Sequence, residues 1–256
     1  MIYGSSWLNR FEIKPGRWVY NPTPEARKNG SIIVGYLNTA WEKPSYYYHL
    51  RDGGHVAALR VHEPSHYFAT IDLQDFFGHI SRSRVTRALK SIVGYKAARK
   101  VAKISTVKAP EGYPHSHYLP YGFVQSPLLS AISLFDSSLG QLLESFNKRK
   151  NVVVSVYMDD IVISSNDEKT LKQAYDSICS EAVKSKFVVN TEKSRPVSTM
   201  TEAFNINISN GVMEITEKRF ATFHYFYTLP STSVAQKKGI GSYVGSVNKN
   251  QAKNLQ

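Results

Sequence analysis

The sequence predicts an α+β fold in which an antiparallel sheet is backed by helices. Residues 152–164 contain two β-branched segments around a tight turn, which is typical of a hairpin, and residues 66–73 read as another strand. From Ser126 to Lys150, apolar residues recur every three or four positions, which is typical of a long helix with one buried face. The chain thus supplies both hairpin strands and helices with an apolar face, and the helices are expected to back the sheet.

Composition limits the classes of protein to which the chain can belong. Its 256 residues carry 32 Lys and Arg against 20 Asp and Glu, a net charge of +12 that favours a polyanionic partner such as nucleic acid. The single cysteine, Cys179, excludes an internal disulfide and a cysteine-rich zinc site. Because the sequence lacks an apolar run of about 18 residues, we expect a cytoplasmic protein without a membrane anchor.

The first 65 residues give weak signals. Residues 32–37 could form a strand, and residues 53–60 resemble a turn that enters a strand. Lys43, Arg51 and Arg60 are candidates for binding phosphates, although a solvated surface charge is the favoured interpretation of each one taken singly.

The next strand, residues 66–73, ends on an acid. By the two-residue period of a strand, Phe68, Thr70 and Asp72 share one face, and the alternate residues share the other. Asp72 therefore sits at a strand end, where it could be a functional carboxylate or an ordinary loop acid.

Helices are predicted over residues 83–103, over residues 126–150 with Ser126 as N-cap, and from Asn166 or Asp167 to about Ser185. Residues 204–215 predict a hairpin, because Asn-Gly specifies a two-residue type I′ turn. In that register Ile208 faces Met213 and Ile206 faces Ile215.

The hairpin of residues 152–164, the acidic hairpin, has two adjacent carboxylates at its turn, Asp159 and Asp160. Asp is common in turns for local reasons, and alone the pair is open to that reading. Asp72 supplies a third acid at a strand end. A few carboxylates in such positions are what a two-metal site for phosphoryl transfer requires, and hard oxygen ligands suit Mg²⁺.

In this order the motifs resemble those of the reverse transcriptase family. The correspondences are Asp72–Phe77 with motif A, Leu119–Pro127 with motif B, Tyr157–Asp160 with motif C, Asn190 and Lys193 with motif D, and residues 204–215 with the primer-grip region. The resemblance implies a right-hand polymerase fold of fingers and palm with a short or truncated thumb. The implied division is 1–65 N-terminal fingers, 66–80 palm strand and turn with motif A, 81–118 fingers or palm helix and loop, 119–200 palm with motifs B to D, 201–228 primer-grip hairpin region, and 229–256 the start of a thumb or a C-terminal tail.

The resemblance also implies residue roles. Asp72, Asp159 and Asp160 would be catalytic and would bind two Mg²⁺ ions, with Mn²⁺ as an alternative. The implied nucleotide-binding residues are Leu73, Asp75, Phe76, Phe77, Gly122, Gln125, Ser126 and Lys193. The implied nucleic-acid contacts are Tyr121, Pro127, Tyr157 and Met158, beside Lys43, Arg51 and Arg60.

Three of these positions carry specific expectations about the substrate and its contacts. Phe77 falls at the position that excludes a 2′-hydroxyl, which implies deoxynucleotide substrates. Gly122 is expected to let the backbone approach a ligand closely. Tyr121 stands where many relatives carry Gln, so contacts to nucleotide or template could differ.

Residues such as His55–Val56 and the sequence Gly-Phe-Val-Gln-Ser-Pro at 122–127 are similar to bacterial members: retrons, group II introns, and abortive-infection and phage-defence enzymes. The implied function is RNA-templated DNA synthesis in anti-phage defence, with a structured non-coding RNA, dNTPs, a DNA product and a possible partner subunit or homo-oligomer. Template-independent or protein-primed synthesis and a non-catalytic RNA-binding scaffold are the alternatives. Since the sequence ends at Gln256, residues 243–256 are expected to form only the first helix of a thumb.

Overall fold

The fold is built around an antiparallel sheet that joins the segment 67–74 to the acidic hairpin. The computed structural model describes residues 6–255. In chain order the elements are β1 (Trp7–Lys14), β2 (Arg17–Pro22), α1 (Pro24–Ala40), α2 (Gly54–Arg60), β3 (Tyr67–Gln74), α3 (Arg82–Val93), α4 (Tyr95–Ile104), β4 (Val107–Lys108), β5 (His117–Tyr118), α5 (Ser126–Phe135), α6 (Ser138–Arg149), β6 (Val153–Tyr157), β7 (Asp160–Ser165), α7 (Glu168–Lys184), β8 (Val188–Val189), β9 (Arg195–Ser198), β10 (Met200–Ala203), β11 (Ile206–Ser209), β12 (Val212–Ile215), α8 (Glu217–Thr228), α9 (Val234–Val247) and α10 (Lys249–Lys253).

The central sheet has the order β6-β7-β3, and both β8 and β9 pair with the free edge of β3. All of its pairings are antiparallel, as predicted. In the register of β3 with β7, Phe68 lies opposite Ser164 and Asp72 lies opposite Asp160. The pairing therefore carries the carboxyl end of β3 to the turn of the acidic hairpin.

The two faces of the sheet have different neighbours. Ala69, Ile71 and Leu73 are fully buried in the main core, which also includes the apolar faces of α5, α6 and α7. Phe68 points to the other face, where the sheet β10-β11-β12 and helix α9 cover it. The predicted division of β3 into two faces is confirmed. Each large apolar side chain buried in this way contributes about 2 kcal/mol to folding.

The predicted Asn-Gly hairpin is confirmed, together with its predicted residue pairing. Ile208 pairs with Met213 and Ile206 pairs with Ile215, and all four side chains are buried. Asp167 is the N-cap of α7, also as predicted, since its carboxylate accepts the Thr170 backbone N–H. Strand β10, which pairs with β11, was not predicted.

Two helices that were predicted as continuous are interrupted. Gly94, with φ 75° and ψ 160°, separates α3 from α4, because glycine alone adopts such a backbone conformation without strain. Ser137 separates α5 from α6, since its hydroxyl caps the new helix by accepting the Gly140 N–H. The N-cap of α5 is Gln125 instead of Ser126.

Two predicted strands near the N-terminus are wrong. Residues 32–37 belong to α1, where Ile33 and Leu37 are one helical turn apart and are both buried. Tertiary packing of that stripe outweighs the strand preference of β-branched residues. Residues 54–60 form α2, and Gly53, at φ 89°, is its N-cap.

The C-terminal region is more helical than predicted. Helices begin at Glu217, well before Tyr243, and α9 packs its Val244 and Val247 side chains against the β10-β11-β12 sheet. The division into fingers, palm and thumb stays a prediction. In residues 6–255, no helix is both long enough and apolar enough to cross a membrane.

Candidate active site

The three acids meet where β3 and the acidic hairpin pair. Asp72 and Asp160 lie opposite each other on adjacent strands, and Tyr157 pairs with Asp160 across the two-residue turn. The Leu73 N–H donates to the Asp159 carbonyl oxygen at 2.9 Å, so the turn is attached to the strand that carries Asp72. Met158 adopts φ 59°, which is uncommon outside glycine and typical of tight functional turns.

A partly buried histidine, His49, supports this turn through a hydrogen bond. The Met158 N–H donates to His49 Nδ1 at 3.0 Å, which requires that nitrogen to be unprotonated. Burial lowers the pKa of His49 from 6.5 to about 4, so the acceptor is preserved at neutral pH. The Tyr157 ring packs edge-on against His49, His55 and Phe204 at centroid distances of 5.4–6.1 Å. No sequence pattern pointed to His49.

Asp72 is held on its other side by the segment after β8. Its N–H donates to Ser194 Oγ at 3.1 Å, and its carbonyl oxygen accepts the Asn190 N–H at 2.9 Å. The same segment places Lys193 Nζ 3.3 Å from Asp72 Oδ2. Lys193 therefore lies beside the acids, and its predicted role in nucleotide binding stays a prediction.

Arg17, at the start of β2, is a site residue that sequence reasoning missed. Its Nη2 lies 4.0 Å from Asp159 Oδ2 and donates to the Tyr121 hydroxyl at 2.8 Å. The guanidinium carbon lies 4.5 Å from the centre of the Tyr121 ring, a cation–π distance. The turn signal Pro15-Gly16 between two aromatic segments could have revealed the β1–β2 hairpin.

The acids repel one another. Burial, and then the charges of Asp159 and Asp72, raise the pKa of Asp160 from 3.8 to about 7. Burial also raises the pKa of Asp159, Asp72 adds to the rise, and Arg17 and Lys193 oppose it. A divalent cation would relieve this repulsion by binding the charged oxygens.

The donor chemistry fits such an ion. Asp72, Asp160 and Lys193 line a cleft of about 200 Å³, and carboxylate oxygens are hard ligands for divalent cations. In the described part of the chain, no three His, Cys, Asp or Glu side chains are gathered closely enough to form a complete metal site. Any ion held here would need further oxygen ligands, such as phosphates or water.

Beside the acids, two aromatic rings form a flat wall. Phe77 stacks on Tyr121 with ring centres 4.7 Å apart and planes 22° apart. Phe76 faces inward and packs on Phe187 at 5.5 Å, so it serves the core. Asp75, at φ 43°, accepts a hydrogen bond from the Tyr113 hydroxyl at 2.8 Å.

The loop before α5 packs tightly against β2. Gly122 has φ +98°, and a Cβ there would collide with the Tyr20 carbonyl oxygen. Glycine is therefore needed for the approach of β2, whose Tyr20 N–H donates to the Tyr121 carbonyl oxygen, and the predicted role of this loop in nucleotide binding stays a prediction. Gln125 is 2% exposed and donates to Ser105 Oγ at 3.1 Å. Ser126 is fully buried and donates to the Pro120 carbonyl oxygen at 2.7 Å.

The remaining basic candidates do not join the acids. Arg60 donates to the Ser246 carbonyl oxygen at 2.6 Å, at the end of α9, and pairs with Glu63 at 3.2 Å. Arg51 lies over the Tyr48 ring at 4.9 Å and donates to the Ser45 carbonyl oxygen. Lys43 and Pro127 are partly exposed. Roles for these residues in nucleic-acid binding stay predictions.

Comparison with known proteins agrees with this geometry. A family model described as "Reverse transcriptase (RNA-dependent DNA polymerase)" matches residues 16–234. The retron Ec86 reverse transcriptase of Escherichia coli is 23% identical over 247 residues, which are 93% of this chain and 74% of that protein.

Solved structures resemble the fold. Telomerase from Candida albicans, in complex with a fragment of telomeric RNA, has a TM-score of 0.55 at 10% identity over 90% of this chain. A foamy viral protease-reverse transcriptase in complex with double-stranded DNA has a TM-score of 0.52 at 17% identity over 91% of this chain. This chain spans 47% and 34% of those chains, respectively.

An antiparallel sheet with acids at the end of β3 and at the β6–β7 turn defines the palm of a right-hand polymerase, and the predicted fold class is confirmed. Within that class, the chain belongs to the reverse transcriptase family, the RNA-directed DNA polymerases. The Escherichia coli relative agrees with the predicted bacterial lineage. Members of the family generally use divalent metal ions.

Proposed function

We propose that the chain extends a nucleic-acid 3′-hydroxyl with deoxynucleotides on an RNA template, using two Mg²⁺ ions. The observation that carries the proposal is the register of β3 with β7, which sets Asp72 opposite Asp160 and attaches Asp159 to Leu73. This places three carboxylates at one end of the sheet beside a polar cleft.

Asp72 and Asp159 would hold the ions, with Asp160 contributing to the negative potential. When bound, two divalent ions lower the pKa of the attacking hydroxyl and neutralise the triphosphate. Lys193, beside Asp72, is positioned to bind the leaving pyrophosphate or to donate a proton to it. Because a protonated carboxyl is a poor ligand and the pKa of Asp160 is raised to about 7, cation binding should strengthen as the pH rises from acidic to alkaline through 7.

The wall of Phe77 and Tyr121 would receive the incoming nucleotide. A buried aromatic ring at Phe77 leaves little room for a 2′-hydroxyl on a sugar packed against it. Arg17, between Tyr121 and Asp159, is placed to exchange its contact with Asp159 for the triphosphate. Binding of the nucleotide would thereby free Asp159 for the cation.

Primer extension with Asp72→Asn and Asp159→Asn tests the proposal. Each variant should lose extension of an RNA-templated primer by several orders of magnitude and keep the wild-type melting temperature. Asp176→Asn, at an exposed acid of α7, is the matched control and should extend normally. Extension by Asp159→Asn at the wild-type rate would reject the site.

We also propose that the template belongs to a structured non-coding RNA and that the system acts in anti-phage defence. The likeness to a retron reverse transcriptase supports this. Sequencing the RNA and DNA that co-purify with the protein from its host is the direct test. An abundant RNA with complementary DNA is expected, and a product without any template match would favour template-independent synthesis.

A further inference from the structure

A second cavity lies on the other side of the turn that follows Asp72. It has a volume of about 460 Å³, and its walls come from the starts of α3 and α6, the end of α7 and the loop around His115. His115 Nε2 lies 2.7 Å from the Gly78 carbonyl oxygen, so the cavity lies behind the residues 75–79. None of the three acids lines it.

The floor of the cavity contains a buried arginine without a carboxylate partner. Arg84 is 8% exposed, lies over the Phe187 ring at 4.3 Å, and donates through Nη2 to the Ser185 carbonyl oxygen. Its Nη1 is buried and has no hydrogen-bond partner. A buried guanidinium is costly unless an anion compensates it.

Two helices of twelve residues begin at this cavity. Ser81 caps α3 and Ser137 caps α6, and both serines line the cavity. The positive ends of both helix dipoles therefore point at the same space as Arg84, and this arrangement favours an anion with several oxygens, such as phosphate.

The cavity continues into a trench of about 630 Å³ along α3 and α4, with which it shares Ser81, Ser83, Arg87 and His115. Cations line both parts: Arg82, Arg87, Lys90, Arg99, Lys184 and Lys186. Among the described residues that line them, Asp136 is the one acid, and it pairs with Arg87 at 3.4 Å. Tyr95, which is 56% exposed, lines the trench and offers a ring for stacking.

We propose that this cavity and trench form a second nucleic-acid site, separate from the polymerase cleft. One backbone phosphate sits between Arg84 and the two helix starts, and the strand follows the cations of α3 and α4. A basic helix face is ordinarily only solvated, but a buried guanidinium whose Nη1 has no hydrogen-bond partner, together with two converging helix dipoles, favours a specific anion. This proposal rests on the proposed function in one respect only: the proposed function identifies the anion as a phosphate of a polynucleotide.

The test uses charge reversal at exposed residues, because Arg84 packs in the core and its loss could unfold the protein. The variant combines Arg87→Glu, Arg99→Glu and Lys186→Glu. The matched control combines Lys148→Glu, Lys169→Glu and Lys172→Glu, which has the same change in net charge and also breaks surface ion pairs outside the trench.

The measurement is the affinity for a labelled single-stranded RNA after the polymerase cleft has been filled with an unlabelled primer–template duplex. The trench variant should bind about tenfold or more weakly than the control, and the dependence of log affinity on log salt should fall by about 2. Loss for RNA alone, or equally for single-stranded DNA, supports the site. Affinity and salt dependence equal to those of the control would overturn it.

Primer extension on the preformed duplex is measured in parallel. The trench variant should extend the primer at the wild-type rate, since its substitutions lie outside the acid cluster. Failure of the wild-type protein to extend would count against the proposed function and leave the binding comparison decisive for the second site.

Discussion

His62 makes the stability of the acidic hairpin depend on pH. The side chain is fully buried, with Nδ1 2.7 Å from Ser164 Oγ and Nε2 2.8 Å from Ser155 Oγ. Ser164 donates its own proton to Ser65 Oγ at 2.9 Å. Nδ1 must therefore donate to Ser164, and Nε2 must accept the proton of Ser155. A second proton on the ring would remove that acceptor.

Burial lowers the pKa of His62 from 6.5 to about 3. Because the folded-state pKa is the lower one, the unfolded chain takes up a proton first as the pH falls below 6.5. Stability is then present above pH 6.5 and is lost progressively down to about pH 3. Between pH 7 and pH 5 the loss from His62 is about 2 kcal/mol.

Urea unfolding of the wild type and of His62→Gln at pH 7 and pH 5 measures this term. His62→Gln should be less stable at pH 7 by roughly 1–3 kcal/mol, because buried hydrogen bonds are lost. Its further loss on going to pH 5 should be smaller than that of the wild type by about 2 kcal/mol. His224→Gln, at an exposed position, should keep the wild-type dependence. An unchanged pH dependence in His62→Gln would refute the tautomer argument.

Three further predictions concern the site. Phe77→Ala should increase incorporation of ribonucleotides relative to deoxynucleotides in single-nucleotide extension, and an unchanged ratio would remove Phe77 from sugar selection. Arg17→Gln should raise KM for dNTP by roughly tenfold or more with a smaller effect on kcat, because a charge-assisted contact to phosphate is worth about 1.5–3 kcal/mol; an unchanged KM would leave Arg17 with a structural role. Gly122→Ala should lower stability by about 1–3 kcal/mol or more in thermal unfolding, since its φ of +98° and the Tyr20 carbonyl leave no space for a Cβ; a wild-type melting temperature would mean that β2 can move away.

Sequence patterns predicted the elements that local chemistry defines. The acidic hairpin, strand β3 and the 204–215 hairpin follow from β-branched residues, the two-residue period and a specific turn. Asp72 was grouped with the acidic hairpin because all three acids fall at predicted strand ends, and the family resemblance supported that grouping. The sequence therefore predicted which carboxylates belong to the candidate site, but not the strand pairing that brings them together.

Contacts between distant segments could not be predicted in this way. Arg17 reaches Asp159 only because β2 packs against the loop at Tyr121, a contact between segments about a hundred residues apart. The same packing gives Gly122 a structural role, since a Cβ there would collide with the Tyr20 carbonyl oxygen. Gln125 is buried for a similar reason, since α1 passes over it at Gly30, where a side chain would collide.

The segment between α1 and β3 has the most consequential of these contacts. Three of its four histidines, His49, His55 and His62, contact the acidic hairpin, and burial lowers the pKa of each of these three. The hairpin is thus supported by neutral rings that accept or donate hydrogen bonds without adding positive charge beneath the carboxylates. The positive charge near the acids comes instead from Lys193 and Arg17, which approach from flanking segments. In the proposed reaction, neutral support beneath the carboxylates would leave their negative charge available to metal ions, while the flanking cations would face the phosphates.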